Sequence, residues 1–581
     1  MSKQRNDGAA ARAAFKSADA DRRADNAAAV KEEAEKGLPP VIPLGEEGAC
    51  NVYWSRPHRS IYRLKMNEHT AAHLRRMARL TEYARWLAPD LPPAAVEEAE
   101  RRILKQAKDW MLEATGGRKF DAACVRARGV WRDDETGGVI YNAGNACYLV
   151  RPDGTMEEVD GVRGRYVYDA GSTLPAPAAD ALTDAEGKTL LDFLDARPWV
   201  MPVYGELLAG WTACAVLAGV IPFRPQVWIN APAQTGKTFL RNDLMHAIRG
   251  LAVEFESAGT TPAAVRQKLN GAALPAVLDE AESNGEGKSA NNLAALLDIA
   301  RTAATGENAR ITKGGADGVQ KEYLIRCCFL LLSIANNLDR EADTSRFMVM
   351  QLAPVRDDAT RAAMWKRQEE GRAMVQAASF TPRLLRRLLG AVPDLLQNAQ
   401  AVKDRLMQAG QNVRRAELLG HLMAGAYALT HTGTMTADAL QHAAVVAAAV
   451  EQAEERTSDT ERCLAALLGY SLPWNGGRIS VQGLCRCVAQ AIDRELQDKA
   501  ETTLDALGLR WMQDKGLQVN PAAPALRDIY KGTDWSNGKI VPVLTAGEYG
   551  IRETRARLRA GQSARRVLLI PAALVLVEDE E

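Results

Sequence analysis

The chain has 581 residues, 47% of them hydrophobic and 25% charged, and its 73 basic residues are matched by 73 acidic ones. That length exceeds what one core can organise and implies roughly three to four domains. The charge balance excludes a global field that would gather nucleic acid, so any such surface must be local.

The nine cysteines include neither a Cys-x-x-Cys pair nor a Cys/His cluster at zinc spacing. Cys327, Cys328, Cys485 and Cys487 sit in apolar or helical surroundings and read as buried free thiols, which suggests a reducing cytoplasm. The longest uncharged apolar run, Leu207 to Ile221, is shorter than the roughly 20 residues that span a bilayer. It predicts a buried helix and no membrane partner. No signal peptide is evident at the N-terminus.

Residues 1–45 are rich in alanine and mixed charge and read as a disordered or frayed helical arm. Residues 46–185 form an accessory α+β unit. Helical periodicity runs from Glu68 to Leu112, with Arg75, Arg76, Arg79 and Arg85 on one side as a solvated face or a nucleic-acid contact. Short strands follow at Val130–Arg132, Val139–Tyr141 and Cys147–Val150, separated by turns such as Pro152-Asp153-Gly154-Thr155. Asp180 to Phe223 is helical.

Residues 186–358 carry the chemistry. The strand Val227–Ile229 runs into Ala231-Pro232-Ala233-Gln234-Thr235-Gly236-Lys237-Thr238-Phe239, and an apolar-periodic helix continues to Ile248. Such a strand–loop–helix setting presents backbone N–H groups and the positive end of a helix to phosphate. Lys237 would reach the β/γ-phosphates of ATP, and the Thr238 hydroxyl would ligate Mg²⁺. Ala231 stands where such loops usually have their first glycine, and alanine tolerates positive φ poorly.

A second strand is predicted at Ala252–Glu256. Thr261-Pro262 then gives an N-cap and first-turn proline for a helix to Leu269. The apolar strand Leu274–Leu278 ends in Asp279-Glu280. Asp279 would hold the Mg²⁺ shell and Glu280 would deprotonate the attacking water, with Glu282 as a competing base. Asn291–Thr302 reads as a helix. Residues 309–323 read as two extended arms around a glycine-rich turn, a hairpin carrying Lys313 and Lys321. Its lysines either contact DNA in a central channel or merely solubilise a surface hairpin.

Cys328–Ile334 is the fourth core strand. At its end Asn336, or Asn337, would position the lytic water. Arg346, or Arg340, precedes the fifth strand, Phe347–Leu352, on a subunit edge, where it would stabilise transition-state charge in a neighbour's site. That role requires head-to-tail assembly. Residues 359–456 are helical and suit a lid beside the nucleotide, with Arg383, Arg386 and Arg387 available to sense phosphate. Residues 457–581 mix helices, short strands and turns, and Ile551–Arg566 is the densest basic stretch. A winged-helix-like unit with a phosphate-contacting edge and a plain α+β cap both fit.

In order and type, the loop ending Gly236-Lys237-Thr238, the acids Asp279-Glu280, the hairpin at Lys313, Asn336 and Arg346 resemble the AAA+ core of superfamily 3-like helicases. The segment Gly259–Gln267, with Asp279-Glu280-Ala281-Glu282, Lys313-Gly314 and Ser345-Arg346, is similar to the helicase portion of phage and prophage primase–helicases. The specific likeness covers about residues 200–355. It implies an α/β P-loop NTPase core, a parallel sheet between helices, dependent on ATP and Mg²⁺. It also implies a homo-oligomeric ring, most often a hexamer, acting on single-stranded DNA or forked duplex in the bacterial host cytoplasm. Neither a zinc ribbon nor an acidic polymerisation site precedes the core, so priming would come from a separate primase or replication protein. A non-translocating AAA+ switch, an initiator or loader or a defence or regulatory ATPase, is the alternative.

Overall fold

The computed structural model describes residues 37–231, 235–256, 260–279, 288–306, 310–314, 320–333, 345–353, 355, 357–456, 459–474, 477–490, 493–513, 515–531, 533, 535, 540–545, 549–556 and 565–576. Of the predicted arm at 1–45, residues 1–36 lie outside them, and the end of it is not arm but strand, since β1 begins at Val41. Strands β1 (Val41–Glu47), β2 (Cys50–Ser55) and β3 (Ser60–Lys65) form an antiparallel sheet. Helices α1 (Ala71–Met77), α2 (Leu80–Leu87) and α3 (Glu100–Thr115) pack on it. Tyr53, Leu74, Tyr83, Ile103 and Met111 close a small separate core. On the arginine face, Arg75 pairs with Glu97 and Glu100 at 3.0 and 3.3 Å.

Next come β4 (Val125–Arg126), β5 (Gly129–Arg132), β6 (Val139–Asn142), β7 (Cys147–Val150), β8 (Met156–Val159), β9 (Val162–Arg163) and β10 (Tyr166–Tyr168). The antiparallel meander β5–β8 buries Val130, Ile140 and Leu149 in the same core as the central sheet. Gly129 makes this junction. Its φ is +129° and a Cβ there would collide with the Ala273 carbonyl, so only glycine allows the approach.

The predicted continuous helix at 180–223 is two helices, α4 (Asp184–Asp195) and α5 (Tyr204–Val216). Pro198 and Pro202 break it, since proline donates no N–H and clashes with the preceding turn. In α5 all residues except Glu206 are buried, as an apolar run without a polar face demands.

The central sheet is parallel, built from β11 (Gln226–Asn230), β12 (Val253–Glu256), β13 (Ala276–Asp279), β16 (Phe329–Ser333) and β17 (Phe347–Gln351) in the order β12-β13-β16-β11-β17. Its inner strands are continuous apolar runs, as strands covered on both faces require. Helices α6 (Lys237–Ala247), α7 (Pro262–Leu269) and α8 (Lys288–Ala304) connect β11, β12 and β13 onward. Thr261 caps α7 by accepting from the Ala264 N–H at 3.2 Å. Strands β14 (Arg310–Gly314) and β15 (Gln320–Leu324) form an antiparallel hairpin beside the sheet, with Lys313 opposite Lys321 in register.

Helices α9 (Asp358–Gln376), α10 (Phe380–Gly390), α11 (Val392–Gln408), α12 (Val413–Thr430) and α13 (Ala437–Arg456) follow. Helix α12 packs on α5 at backbone distance: an added Cβ on Gly425 would lie 2.5 Å from the Gly210 carbonyl oxygen. The rest has its own core, organised around Leu467, Leu484, Leu504 and Val519. It includes β18 (Ser471–Trp474), β19 (Gly477–Ser480), β20 (Leu509–Met512), β21 (Gly516–Val519), β22 (Arg552–Ala556) and β23 (Arg565–Ile570), the last four in the order β20-β21-β23-β22. Among the described residues, no helix is long and apolar enough to cross a membrane.

Candidate nucleotide site

Strand β11 buries Val227, Trp228 and Ile229 completely between β16 and β17. The chain leaves it for β12 at the far edge, whereas β17 lies on its other side. Ligands of open α/β sheets sit beyond the strands' carboxyl ends at such a reversal. Asn230 and Ala231 lie there. Ala231 is buried, and its N–H donates to the Ser333 carbonyl at 2.9 Å. Among the described non-glycine residues, only Arg59 has positive φ. The anticipated penalty for alanine at 231 is therefore absent.

The left-handed conformation falls instead on Gly236, at φ +86° and ψ +20°, which caps α6. The helix starts at Lys237, two residues earlier than its apolar pattern indicated. No side chain caps it, so its first-turn N–H groups and the positive end of the helix face the loop. Thr235 is buried, and Thr238 and Phe239 are exposed. Lys237 Nζ lies 3.8 Å from Asp279 Oδ1, although their strands are separated by β16. Arg241, one helical turn on, contacts Asp279 Oδ2 at 3.2 Å and Glu254 at 2.5 Å. A lysine, a helix N-terminus and a carboxylate thus converge at one sheet end, a setting for an anion together with a hard cation.

A cavity of about 630 Å³ adjoins the loop. Ala231, Thr235, Gly236, Lys237, Thr238 and Phe239 form one wall, and Leu352, Val355, Arg361, Met364, Trp365 and Gln368 the other. Trp365 projects from α9 and meets Phe239 edge to face, 5.5 Å between ring centres. The Arg372 guanidinium lies 3.9 Å from the Trp365 ring centre, and its Nε lies 3.5 Å from Asp243. Arg197, which also lines the cavity, donates to Asp243 at 2.5 Å. The sequence reading missed Trp365. Its signal was a Met-Trp pair, Met364-Trp365, within an otherwise strongly charged helix.

The structure thus brings together Ala231, Thr235, Gly236, Lys237, Thr238, Phe239 and Asp279. Pro232, Ala233, Gln234, Glu280, Glu282, Asn336, Asn337 and Arg340 lie outside the described residues, as do the side chains of Lys313 and Lys321. Arg346 immediately precedes edge strand β17, whose Phe347 aligns with Gln226 at the start of β11. That sets it about 20 Å, six residues at strand rise, from the start of this chain's own loop. The lid arginines do not line the cavity beside the loop, contrary to expectation. Arg383 binds Asp180 and Glu186, and Arg387 binds Asp184 and three backbone carbonyls, so both tie α10 to the start of α4. Arg386 donates to the Gly154 carbonyl at 2.6 Å.

No protein-family profile matches the chain, and no curated protein matches it. Among solved structures it is similar to one described as SCCmec type IV Cch, active helicase. The likeness has 10% sequence identity and a TM-score of 0.41, over 93% of this chain and 95% of that one. The chain itself is a mixed α/β protein built on a parallel sheet.

Proposed function

We propose that this chain is a Mg²⁺-dependent ATPase with an AAA+ core that works as a ring-forming motor on DNA. The observation that carries the reading is the meeting of Lys237 and Asp279 at 3.8 Å across the sheet end. Lys237 and the first turn of α6 bind and orient the phosphates. The remaining sites follow the sequence pattern: Glu280 takes the proton of the attacking water, Asn336 orients it, and Arg346 acts on the neighbouring subunit's nucleotide. That last assignment is supported by the distance between Arg346 and its own loop.

The donors fit magnesium. Thr238 and Asp279 offer hard oxygen ligands, and Mg²⁺ takes one or two protein oxygens and completes its shell with phosphate and water. Bound there, it would neutralise charge on the transferring phosphoryl group. The cavity beyond the loop, edged by Phe239 and Trp365, would hold the base.

The hairpin with Lys313 opposite Lys321 is the proposed DNA element, and the setting is phage or mobile-element replication. The test is phosphate release by wild type and Lys237→Ala, each with and without single-stranded DNA. Turnover that DNA stimulates in wild type and that Lys237→Ala abolishes is expected. Undiminished turnover in Lys237→Ala refutes the site. DNA-indifferent turnover refutes the motor and leaves a nucleotide switch.

A further inference from the structure

A second cavity, about 560 Å³, lies at the opposite end of the sheet. Its walls come from the β4–β10 region, the turn entering β11 and the approach to β16. Among the described residues, five arginines line it, Arg126, Arg132, Arg165, Arg224 and Arg326, against one carboxylate, Asp134. Two of the five have structural duties. Arg224, 2% exposed, donates to the Ala303 and Gly306 carbonyls at the end of α8. Arg126 donates to the Arg132 carbonyl and the Tyr168 hydroxyl. Both nevertheless keep a buried Nε with no hydrogen-bond partner among the described residues.

Three of the five lie over aromatic rings. Arg326 stacks on Trp131, 5.3 Å from its centre, and Tyr166 lies between Arg126 at 3.3 Å and Arg165 at 4.9 Å. Five guanidiniums around one carboxylate leave a surplus of fixed positive charge, and Arg forks match phosphate oxygens in pairs. The volume suits a nucleotide-sized group. Gly306, on its rim, stands four residues before β14 of the hairpin.

We propose that this cavity binds the phosphate of a nucleotide, carried on a single strand passing the hairpin root or on a free nucleotide. The strand form rests on the reading of the chain as a DNA motor; the phosphate chemistry does not.

The test uses the full chain and the double charge reversal Arg132→Glu/Arg165→Glu. Both side chains are exposed, and thermal unfolding verifies that the fold persists. Binding of fluorescein-labelled oligothymidylate is read by anisotropy over a salt series. The expected result is at least a roughly tenfold rise in Kd, a salt slope shallower by about 1.4 for two lost contacts on a single strand, and unchanged DNA-free turnover.

A second arm measures protection from thermal unfolding by dTMP in the Lys237→Ala background, with and without the reversal. Protection lost on reversal, with oligothymidylate binding unaffected, assigns the site to a free nucleotide. No effect of the reversal in either arm overturns the proposal. Reversal-sensitive strand binding in a protein that does not hydrolyse ATP sinks the motor reading alone.

Discussion

Arg197 and Asp243 form a buried ion pair beside the cavity next to the 235–239 loop, 2.5 Å from Nη2 to Oδ2, with side chains only 5 and 6% exposed. Arg197 precedes α5, Asp243 lies on α6, and Arg372 of α9 reaches the same carboxylate. Three elements around the phosphate loop are thus tied to one charge. Asp243→Ala strands the Arg197 guanidinium in the interior, which costs about 3–5 kcal/mol. The joint replacement Arg197→Met/Asp243→Leu recovers most of that loss. Denaturant midpoints of the variants check this, and an unshifted midpoint for Asp243→Ala counts against it.

Trp365 is predicted to stack on the base. Stacking on an aromatic ring contributes about 1–3 kcal/mol per base. Trp365→Ala should therefore raise KM for ATP about tenfold while kcat stays within about twofold, the pattern of lost uniform binding. Trp365→Phe should restore most of it. A KM unchanged in Trp365→Ala would place the base elsewhere.

Arg241 contacts Asp279 at 3.2 Å, so on the proposed reading it would compete with Mg²⁺ for that carboxylate. The pair is partly exposed, so its strength is about 0.2–1 kcal/mol. Arg241→Ala is expected to lower the half-saturating Mg²⁺ concentration up to about fivefold, read from turnover against free Mg²⁺. A rise instead would make Arg241 a helper in binding.

Asp169 predicts a pH dependence of stability. Burial pushes its carboxyl up to about 6, with the nearby Arg59 guanidinium only partly opposing the shift. Its Oδ1 has no hydrogen-bond partner among the described residues. The folded-state pKa exceeds the unfolded one, so this group favours the fold when protonated. That contribution is full below the unfolded value of 3.8 and is lost as pH rises through about 6. The change is about 3 kcal/mol at 1.36 kcal/mol per unit. Asp169→Asn should remove the slope between about pH 4 and 6 and raise the unfolding temperature at neutral pH. An identical pH profile in the variant disposes of the idea.

Much of the core was legible because its signals are local. Thr261-Pro262 fixes the start of α7, Gly236 alone accepts the backbone that starts α6, and an apolar run without a polar face placed α5. Strand order is another matter. That β16 lies between β11 and β13, letting Lys237 meet Asp279, follows from long-range packing that no window of sequence contains. The N-terminal sheet went unread for a different reason. In β2, residues 51–55 are all buried, so alternation, the usual mark of a half-exposed strand, is missing. The lid arginines misled because an arginine on a helix gives no indication whether a ligand or a carbonyl awaits it. Arg387 found carbonyls.

The glycine contact between α5 and α12 has a mechanical consequence. Thirteen residues of α12 are buried and its backbone rests on the helix feeding β11, so it is rooted in the core around the central sheet. In α9 the buried residues are Gln368, Gly371 and Val375. On the proposed reading, a bound nucleotide would meet a core to which α12 is fixed on one side, while the contact of Arg372 with Asp243 holds α9, and with it Trp365, to α6 on the other.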